Sequence, residues 1–190
     1  VSFDAPSLKF NCDIFFVGDE AAPSNVTFQN TSISLIGLSN ENSILKFYGI
    51  NFAGGGSNVG IIHEAGSLFF RNCIATNFYT FYTANTSSCR LYIQGGLSDL
   101  NITSTDTGFS LTNGASIFVS NNITLTQNGS STEQGILFNM MNAYFVPIGS
   151  NIYTLNCVPV TGSGWLFSAA GCFIYTGSFC DYNINDGTGL

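Results

Sequence analysis

The sequence predicts an all-β chain folded as a right-handed parallel β-helix, a solenoid of about eight coils. The first observation is an internal repeat, because Gly135–Asn139 and Gly164–Ser168 align with Gly108–Thr112. Repeat periods of roughly 20–50 residues are typical of solenoids. The second observation is the alternation of apolar residues with period two, as at Ile117 and Val119, which indicates short strands rather than helices.

The coils can be followed in chain order by one apolar residue in each. This marker is the last residue of the second apolar pair of a coil, and its positions are Phe10, Phe28, Phe47, Phe70, Leu91, Val119, Val146 and Tyr175. Successive markers are 18, 19, 23, 21, 28, 27 and 29 residues apart. The spacing predicts a constant three-sided core whose coils lengthen towards the C-terminus.

Polar corners follow the markers, as at Arg71–Cys73 and Ser120–Asn122. A sharp bend between two strands can need a residue in the left-handed conformation, which glycine and asparagine tolerate best. The pattern therefore predicts left-handed residues at these corners. A β-sandwich is the alternative fold; it explains the alternation equally well, but not repeats that superimpose in chain order.

One domain is expected to span residues 1–190. Its last residues, Asp186–Leu190, match Thr105–Phe109, so Leu190 has the position of the first residue of another coil. We therefore expect a segment of a longer solenoid or a unit that stacks end to end with its copies.

The polar residues of the chain are mostly uncharged, which is typical of extracellular β-proteins. Charged residues make up 8% of the chain, and four basic against eleven acidic residues give a net charge of −7. This balance argues against nucleic acid, whose affinity depends on cations that neutralise phosphate. There is no apolar run of about 18 residues that could span a bilayer, and Val1–Phe10 does not have the pattern of a signal peptide. The expected location is extracellular, at the cell surface or on a virion.

Glycosylation is expected because the chain contains several Asn-x-Ser/Thr sequons. The acceptor residues are Asn25, Asn30, Asn85, Asn101, Asn122 and Asn128. Asn30, Asn85, Asn122 and Asn128 fall at corners or loops of the predicted coils, where a glycan would fit.

No catalytic residue, metal site or cofactor is predicted. His63 lies beside Glu64 and such a pair can carry out acid–base chemistry, but there is no second histidine and no nucleophile motif near it, so a polar surface position is favoured. The cysteines show no Cys-x-x-Cys spacing, which argues against zinc. The aspartates of the second half are scattered: Asp99, Asp106, Asp181 and Asp186.

Four tyrosines are candidates for ligand binding, with carbohydrate as the expected ligand. They do not occupy the repeating core positions and are therefore expected at the surface: Tyr79, Tyr82, Tyr92 and Tyr153. Tyr144 and Trp165 fit the core pattern instead.

One disulfide is predicted, between Cys157 and Cys180. Cys157 follows shortly after Leu155, and Cys180 follows Phe179 in the next coil. Stacked strands are about 4.8 Å apart, which lies within the Cα–Cα range of roughly 4.4–6.8 Å that a disulfide spans.

Two short segments carry a resemblance to a known family. Phe69–Asn72 and Phe118–Asn121 have the pattern Phe-x-x-Asn, and Phe52–Gly56 is similar to the Gly-Gly-Ala-Ile element that accompanies it. These segments resemble the repeats of polymorphic outer-membrane proteins, and the whole chain resembles pectin-lyase-like right-handed β-helices. The resemblance implies a surface adhesin or a structural stalk. Polysaccharide-cleaving members of this group use acidic clusters, which are not seen beside the four basic residues here.

We therefore expect a non-enzymatic, glycosylated extracellular β-helix that serves as a stalk, filament unit or adhesin segment. Its expected partners are further copies, end to end or in a trimer, and carbohydrate, but not nucleic acid or the membrane interior. One alternative is a receptor-binding module of a phage tailspike or fibre, which also predicts a trimer. The other is a carbohydrate-active lyase or glycoside hydrolase.

Overall fold

Parallel β-strands that stack rung upon rung make up the computed structural model of the chain. The structure describes residues 2–4, 7–10, 12–29, 32–35, 43–56, 59–94, 99–120, 123–127, 135–148, 151–157, 164–174 and 180–185. Every strand pair among them is parallel, and each strand pairs with one from a neighbouring turn of the chain. The architecture is a parallel β-solenoid, as the sequence predicts.

The strands form three faces, which we call the first face, the second face and the third sheet. The first face contains β1 (Ser2–Asp4), β4 (Thr27–Gln29), β7 (Asn51–Ala53), the first part of β10 (Ile74–Ala84), the first part of β12 (Asp99–Thr112), β14 (Ile123–Gln127), β17 (Asn151–Cys157) and β20 (Cys180–Asn185). The second face contains β2 (Ser7–Phe10), β5 (Ser32–Leu35), β8 (Val59–His63), the second parts of β10 and β12, β15 (Gly135–Met141) and β18 (Gly164–Ala170).

The third sheet is separate and has seven strands. They are β3 (Ile14–Val17), β6 (Ile44–Tyr48), β9 (Gly66–Arg71), β11 (Cys89–Gln94), β13 (Ser116–Ser120), β16 (Tyr144–Ile148) and β19 (Phe173–Ile174). The described residues also include a short 3₁₀ helix, Pro23–Asn25, and no helix among them is long and apolar enough to cross a bilayer.

Long strands join the first and second faces into one thirteen-stranded sheet. In β10, Ile74–Thr76 pairs with β7, whereas Thr80–Ala84 pairs with β8. The register shifts in between, and Asn77 has a φ of 61°. A bulge bends a strand locally, so here one strand turns the corner without a loop.

Aromatic side chains stacked rung on rung fill the interior. Phe16 and Phe47 stack with ring centroids 5.1 Å apart, and Phe47 stacks on Phe70 at 6.0 Å. On the opposite wall Phe28 stacks on Phe52 at 5.9 Å. Burying one such side chain contributes roughly 1.5–3 kcal/mol, so these rows are a main source of stability.

The count of eight coils and the lengthening of the coils are not supported. The first two markers, Phe10 and Phe28, lie in strands of the second and first faces, so they are not equivalent to Phe47 of the third sheet. In the third sheet the pairs are Phe16 with Phe47, Phe47 with Phe70, and Phe70 with Ile93, which are 31, 23 and 23 residues apart. The first interval is therefore the longest of these three.

The predicted left-handed residue is found at the Arg71–Cys73 corner, whereas Asn121 and Asn122 of the second corner lie outside the described residues. Asn72 and Asn142 have φ values of 51°, and Gly49, which occupies the same corner as Asn72 one rung earlier, has a φ of 63°. At Gly49 an added Cβ would also lie 2.5 Å from the backbone of Asp19. Asparagine tolerates this conformation better than other residues with a side chain, which explains its frequency at the bends.

Candidate functional site

The outward side of the third sheet combines aromatic and basic side chains. In each strand the inward residues are core residues, such as Leu68 and Phe70, and the residue between them points out. The strand register aligns these outward residues into one row along the solenoid. We call it the aromatic row, and its members are Phe15, Lys46, Phe69, Tyr92, Phe118 and Val146.

Three rings of the aromatic row are stacked face to face. Tyr92 lies 4.5 Å from Phe69, with ring planes 9° apart, and 4.9 Å from Phe118, with planes 14° apart. The spacing follows the distance of about 4.8 Å between strands. Both faces of the Tyr92 ring are therefore covered. The edges of the rings face solvent, and aromatic edges carry partial positive charge.

Basic residues continue the row and flank it. The Lys46 ammonium lies 4.8 Å from the Phe15 ring centroid and 5.1 Å from that of Phe69, close enough for cation–π attraction to both. Arg90 is exposed and is two residues from Tyr92 in β11, about 7 Å along the strand. Within their bounds the seven strands of the third sheet carry three of the chain's four basic residues and none of its eleven acidic ones.

Among the described residues, Arg71 is the one of these three whose side chain forms an ion pair. Its Nε donates to Oε2 of Glu20 at 2.8 Å and its Nη2 donates to Oε1 at 2.5 Å, while Asn72 Nδ2 donates to Oε2 at 2.9 Å. The guanidinium also lies over the Tyr48 ring, 4.0 Å from its centroid. The hydrogen bonds with Glu20 raise the pKa of Arg71. Since Glu20 neutralises Arg71, the net positive charge of the face comes from Lys46 and Arg90.

The four candidate tyrosines lie in different environments. Tyr79 is 50% exposed, on β10, as expected for a surface residue. The expected surface position of Tyr82 is wrong, because this residue is fully buried. Tyr92 is partly exposed within the aromatic row, and Tyr153 is in β17, where its side chain lies outside the described residues. Their role in ligand binding stays a prediction.

Three further aromatic residues lie on the outside of the solenoid although the sequence analysis did not place them there. Tyr144 is 47% exposed, so its assignment to the core is wrong; it points out from β16 towards Phe173 of the next rung. Phe69 and Phe118 were not singled out as surface residues. Because Leu68 and Phe70 form the inward i, i+2 pair of this strand, Phe69 between them lies on the outside.

His63 lies inside the solenoid, contrary to the surface position that the sequence favours. Its Nδ1 is 2.7 Å from the Tyr82 hydroxyl, and its Nε2 is 3.0 Å from the Ala65 carbonyl and 3.1 Å from that of Gly66. Because carbonyls only accept, Nε2 carries the proton and Nδ1 accepts the hydrogen bond from Tyr82. Burial lowers the pKa of His63 to about 4, so the ring is neutral at pH 7. Glu64 points away and is exposed.

Two predicted glycosylation sites lie on exposed side chains of the described residues. Asn85 is in the turn between β10 and β11, where Ser87 of its sequon is also exposed. Asn25 is exposed too, but its Nδ2, which would carry the glycan, donates to Asp19 Oδ2 at 2.8 Å. Asn101 is in β12 with its side chain outside the described residues, and Asn30, Asn122 and Asn128 lie wholly outside them.

The strand register does not support the predicted disulfide. Cys180 pairs with Asn151, six residues before Cys157 in β17. Six residues of a strand span about 20 Å, far beyond the Cα–Cα range of a disulfide, which is at most about 7 Å. The side chains of both cysteines lie outside the described residues. Among the described ones, Cys73 and Cys89 are buried free thiols, and burial raises the pKa of Cys73 to about 12.

Three described carboxylates near the third sheet, those of Asp13, Asp19 and Glu20, bind the backbone, Asn25 or Arg71, whereas Glu64 before β9 is exposed. Asp13 Oδ1 accepts a hydrogen bond from the Ile44 N–H at 2.7 Å, and Asp19 accepts from the backbone of Ala21 and Ala22. These hydrogen bonds, with that from Asn25, lower the pKa of Asp19. Within the described ranges, no group of three or more His, Cys, Asp or Glu residues could hold a metal ion.

Comparison of the chain with protein-family models, with curated proteins and with solved structures finds no match. The classification that the strands themselves support is a parallel β-solenoid, an all-β architecture with almost no helix.

Proposed function

We propose that the chain is a non-enzymatic extracellular β-solenoid that serves as a structural or adhesive unit: a stalk, a filament unit or an adhesin segment. The observation that carries this proposal is the continuity of stacking. Phe16, Phe47 and Phe70 stack inside on β3, β6 and β9, and from β9 onwards Phe69, Tyr92 and Phe118 continue the stacking outside on β9, β11 and β13. Stacking on both sides of one sheet favours a stiff rod, and a stiff rod holds a contact surface away from its anchor.

The use of the polar side chains supports a non-enzymatic role. Catalytic acids and bases need access to substrate, but His63 is buried with each ring nitrogen hydrogen-bonded. Glu20 and Asp19 are committed to Arg71 and to their own loop. These groups maintain the fold, which favours the structural reading over a lyase or hydrolase.

The finer parts of the proposal rest on the sequence. They are the right hand of the solenoid, its resemblance to pectin-lyase-like β-helices and to polymorphic outer-membrane-protein repeats, glycosylation, and association with further copies end to end or as a trimer. Of the sequons, Asn85-Thr86-Ser87 supports glycosylation best, because its turn is exposed. A trimer in solution would favour the phage spike alternative.

The test incubates the purified chain with a panel of neutral and acidic polysaccharides and measures both retention and cleavage. Cleavage is read from new reducing ends and from unsaturated products. We expect no products above the level of a heat-unfolded sample. Product release that the folded chain sustains over many turnovers would overturn the non-enzymatic proposal.

A further inference from the structure

We infer that the outward face of the third sheet binds an acidic polysaccharide, laid along the aromatic row. This rests on the proposed adhesive function and names the chemical class of its ligand. The charge of this face favours an anionic ligand. The chain as a whole has a net charge of −7, yet the strands of the third sheet carry Lys46, Arg71 and Arg90 and no acidic residue. Because Glu20 neutralises Arg71, the unpaired charges among the described residues of these strands are those of Lys46 and Arg90, and the exposed acids Asp13 and Glu64 lie only before the starts of β3 and β9. The middle of the face is thus basic on a negative molecule, and it fits a partner that is anionic.

The orientation of the rings in the aromatic row also favours an anionic ligand. Neutral sugars and nucleobases bind by lying flat on an aromatic face, but Phe69 and Phe118 cover both faces of Tyr92. The rings of the aromatic row present their edges to solvent, and these edges carry partial positive charge. The edges add to the positive electrostatic potential of Lys46, which lies in the same row. They therefore favour contact with carboxylate or sulfate groups of a ligand over contact with apolar groups.

The spacing of the basic residues along the solenoid fits a linear ligand. Lys46 and Arg90 lie on β6 and β11, two rungs apart, which is about 10 Å along the axis. Polar side chains run beside them in the row of Ser67, Arg90 and Ser116. Arg90 can donate to sugar oxygens, and the Ser116 hydroxyl, which donates to the Gly114 carbonyl at 3.4 Å, can accept from a sugar hydroxyl. A linear chain with repeated negative charges can contact both cations at once without bending.

The test uses dextran sulfate as the probe and dextran as its uncharged match. Affinity electrophoresis at low ionic strength gives the dissociation constant for each. We expect retardation by dextran sulfate, none by dextran, and weaker binding as salt is raised towards 0.15 M, where charges are screened beyond roughly 8 Å.

Variants locate the binding surface. Lys46→Gln and Arg90→Gln each remove one charge and keep most of the side-chain length; each is expected to weaken binding about two- to fivefold, as for single exposed charges. Lys9→Gln is the matched control, because it changes the net charge equally but lies in β2 on the second face. It is expected to leave the dissociation constant unchanged. Circular dichroism checks that each variant is folded.

Each outcome decides something different. An equal loss in Lys9→Gln, or no loss in the Lys46→Gln/Arg90→Gln double variant, would overturn the assignment to this face. Equal binding of dextran would overturn the anionic class but keep an adhesive role. Binding of neither polymer would overturn the inference and leave a purely structural rod. Cleavage of either polymer would instead overturn the proposed function.

Discussion

Phe69 and Tyr92 stack face to face with ring centroids 4.5 Å apart and planes 9° apart, although 23 residues separate them in the chain. The strand register of the third sheet places them on adjacent rungs. The stack lies on the outside of the solenoid, and it therefore links the stability of the rod to the chemistry of the surface that the rod presents.

Tyr92→Ala is expected to destabilise the chain because it removes two ring stacks and opens a gap in the row. Each stacked pair contributes about 0.5–1.5 kcal/mol beyond burial, so the loss in the free energy of unfolding should be about 1–3 kcal/mol. Urea unfolding followed by circular dichroism measures it. Tyr79→Ala, at a half-exposed site on β10, is the control and should cost less. An equal loss in the free energy of unfolding for Tyr92→Ala and Tyr79→Ala would show that the ring stacks do not add to stability.

Stability should fall as the pH drops from about 6.5 towards 4, because His63 is buried and neutral. Burial lowers the pKa of His63 to about 4, so between these values the unfolded chain binds a proton that the folded chain does not. The stabilising contribution is complete above pH 6.5 and is lost towards pH 4, by about 3 kcal/mol. The measurement is the difference in unfolding free energy between wild type and His63→Gln across this range. If the unfolding free energies of the wild type and of His63→Gln changed with pH in parallel, the predicted role of His63 would be contradicted.

Tyr82→Phe is expected to cost about 1–3 kcal/mol in the free energy of unfolding, since it leaves Nδ1 of His63 without its donor in the core. The ring itself stays, so the packing against Phe109 is kept. Thermal or urea unfolding measures the change. Tyr144→Phe removes a hydroxyl from a half-exposed tyrosine and should change stability by less than about 0.5 kcal/mol. A similar small change for Tyr82→Phe would contradict the bond to His63.

The Glu20–Arg71 pair should show a small coupling energy. Both side chains are about one-third exposed, so solvent screening limits the interaction in a Glu20→Gln/Arg71→Gln double-mutant cycle to about 0.5–1 kcal/mol. The coupling should decrease at high salt. Zero coupling at low salt would show that the bidentate contact does not hold the loop.

Local pattern was sufficient to predict the solenoid and its corners. Alternation in Leu45-Lys46-Phe47 marks a strand with one buried side, and Asn72 marks a bend because of its tolerance for positive φ. These properties belong to adjacent residues, so a sequence shows them directly.

Register and long-range partners could not be predicted in the same way. Phe10 and Phe28 have the same local pattern as Phe47 but lie on other faces, and only pairing across rungs distinguishes them. His63 is buried because Tyr82, on the next rung, supplies a donor. The net charge of the third sheet likewise depends on Glu20, which is 51 residues from Arg71.

The most direct test of the account is to map dextran sulfate binding onto the backbone by NMR. Amide chemical-shift changes are followed as the polymer is added to the isotopically labelled chain. The account predicts that the largest changes lie in β6, β9 and β11, around Lys46, Phe69 and Arg90. Changes concentrated on the strands of the first and second faces would contradict it, because the positive aromatic face would then not be the binding surface.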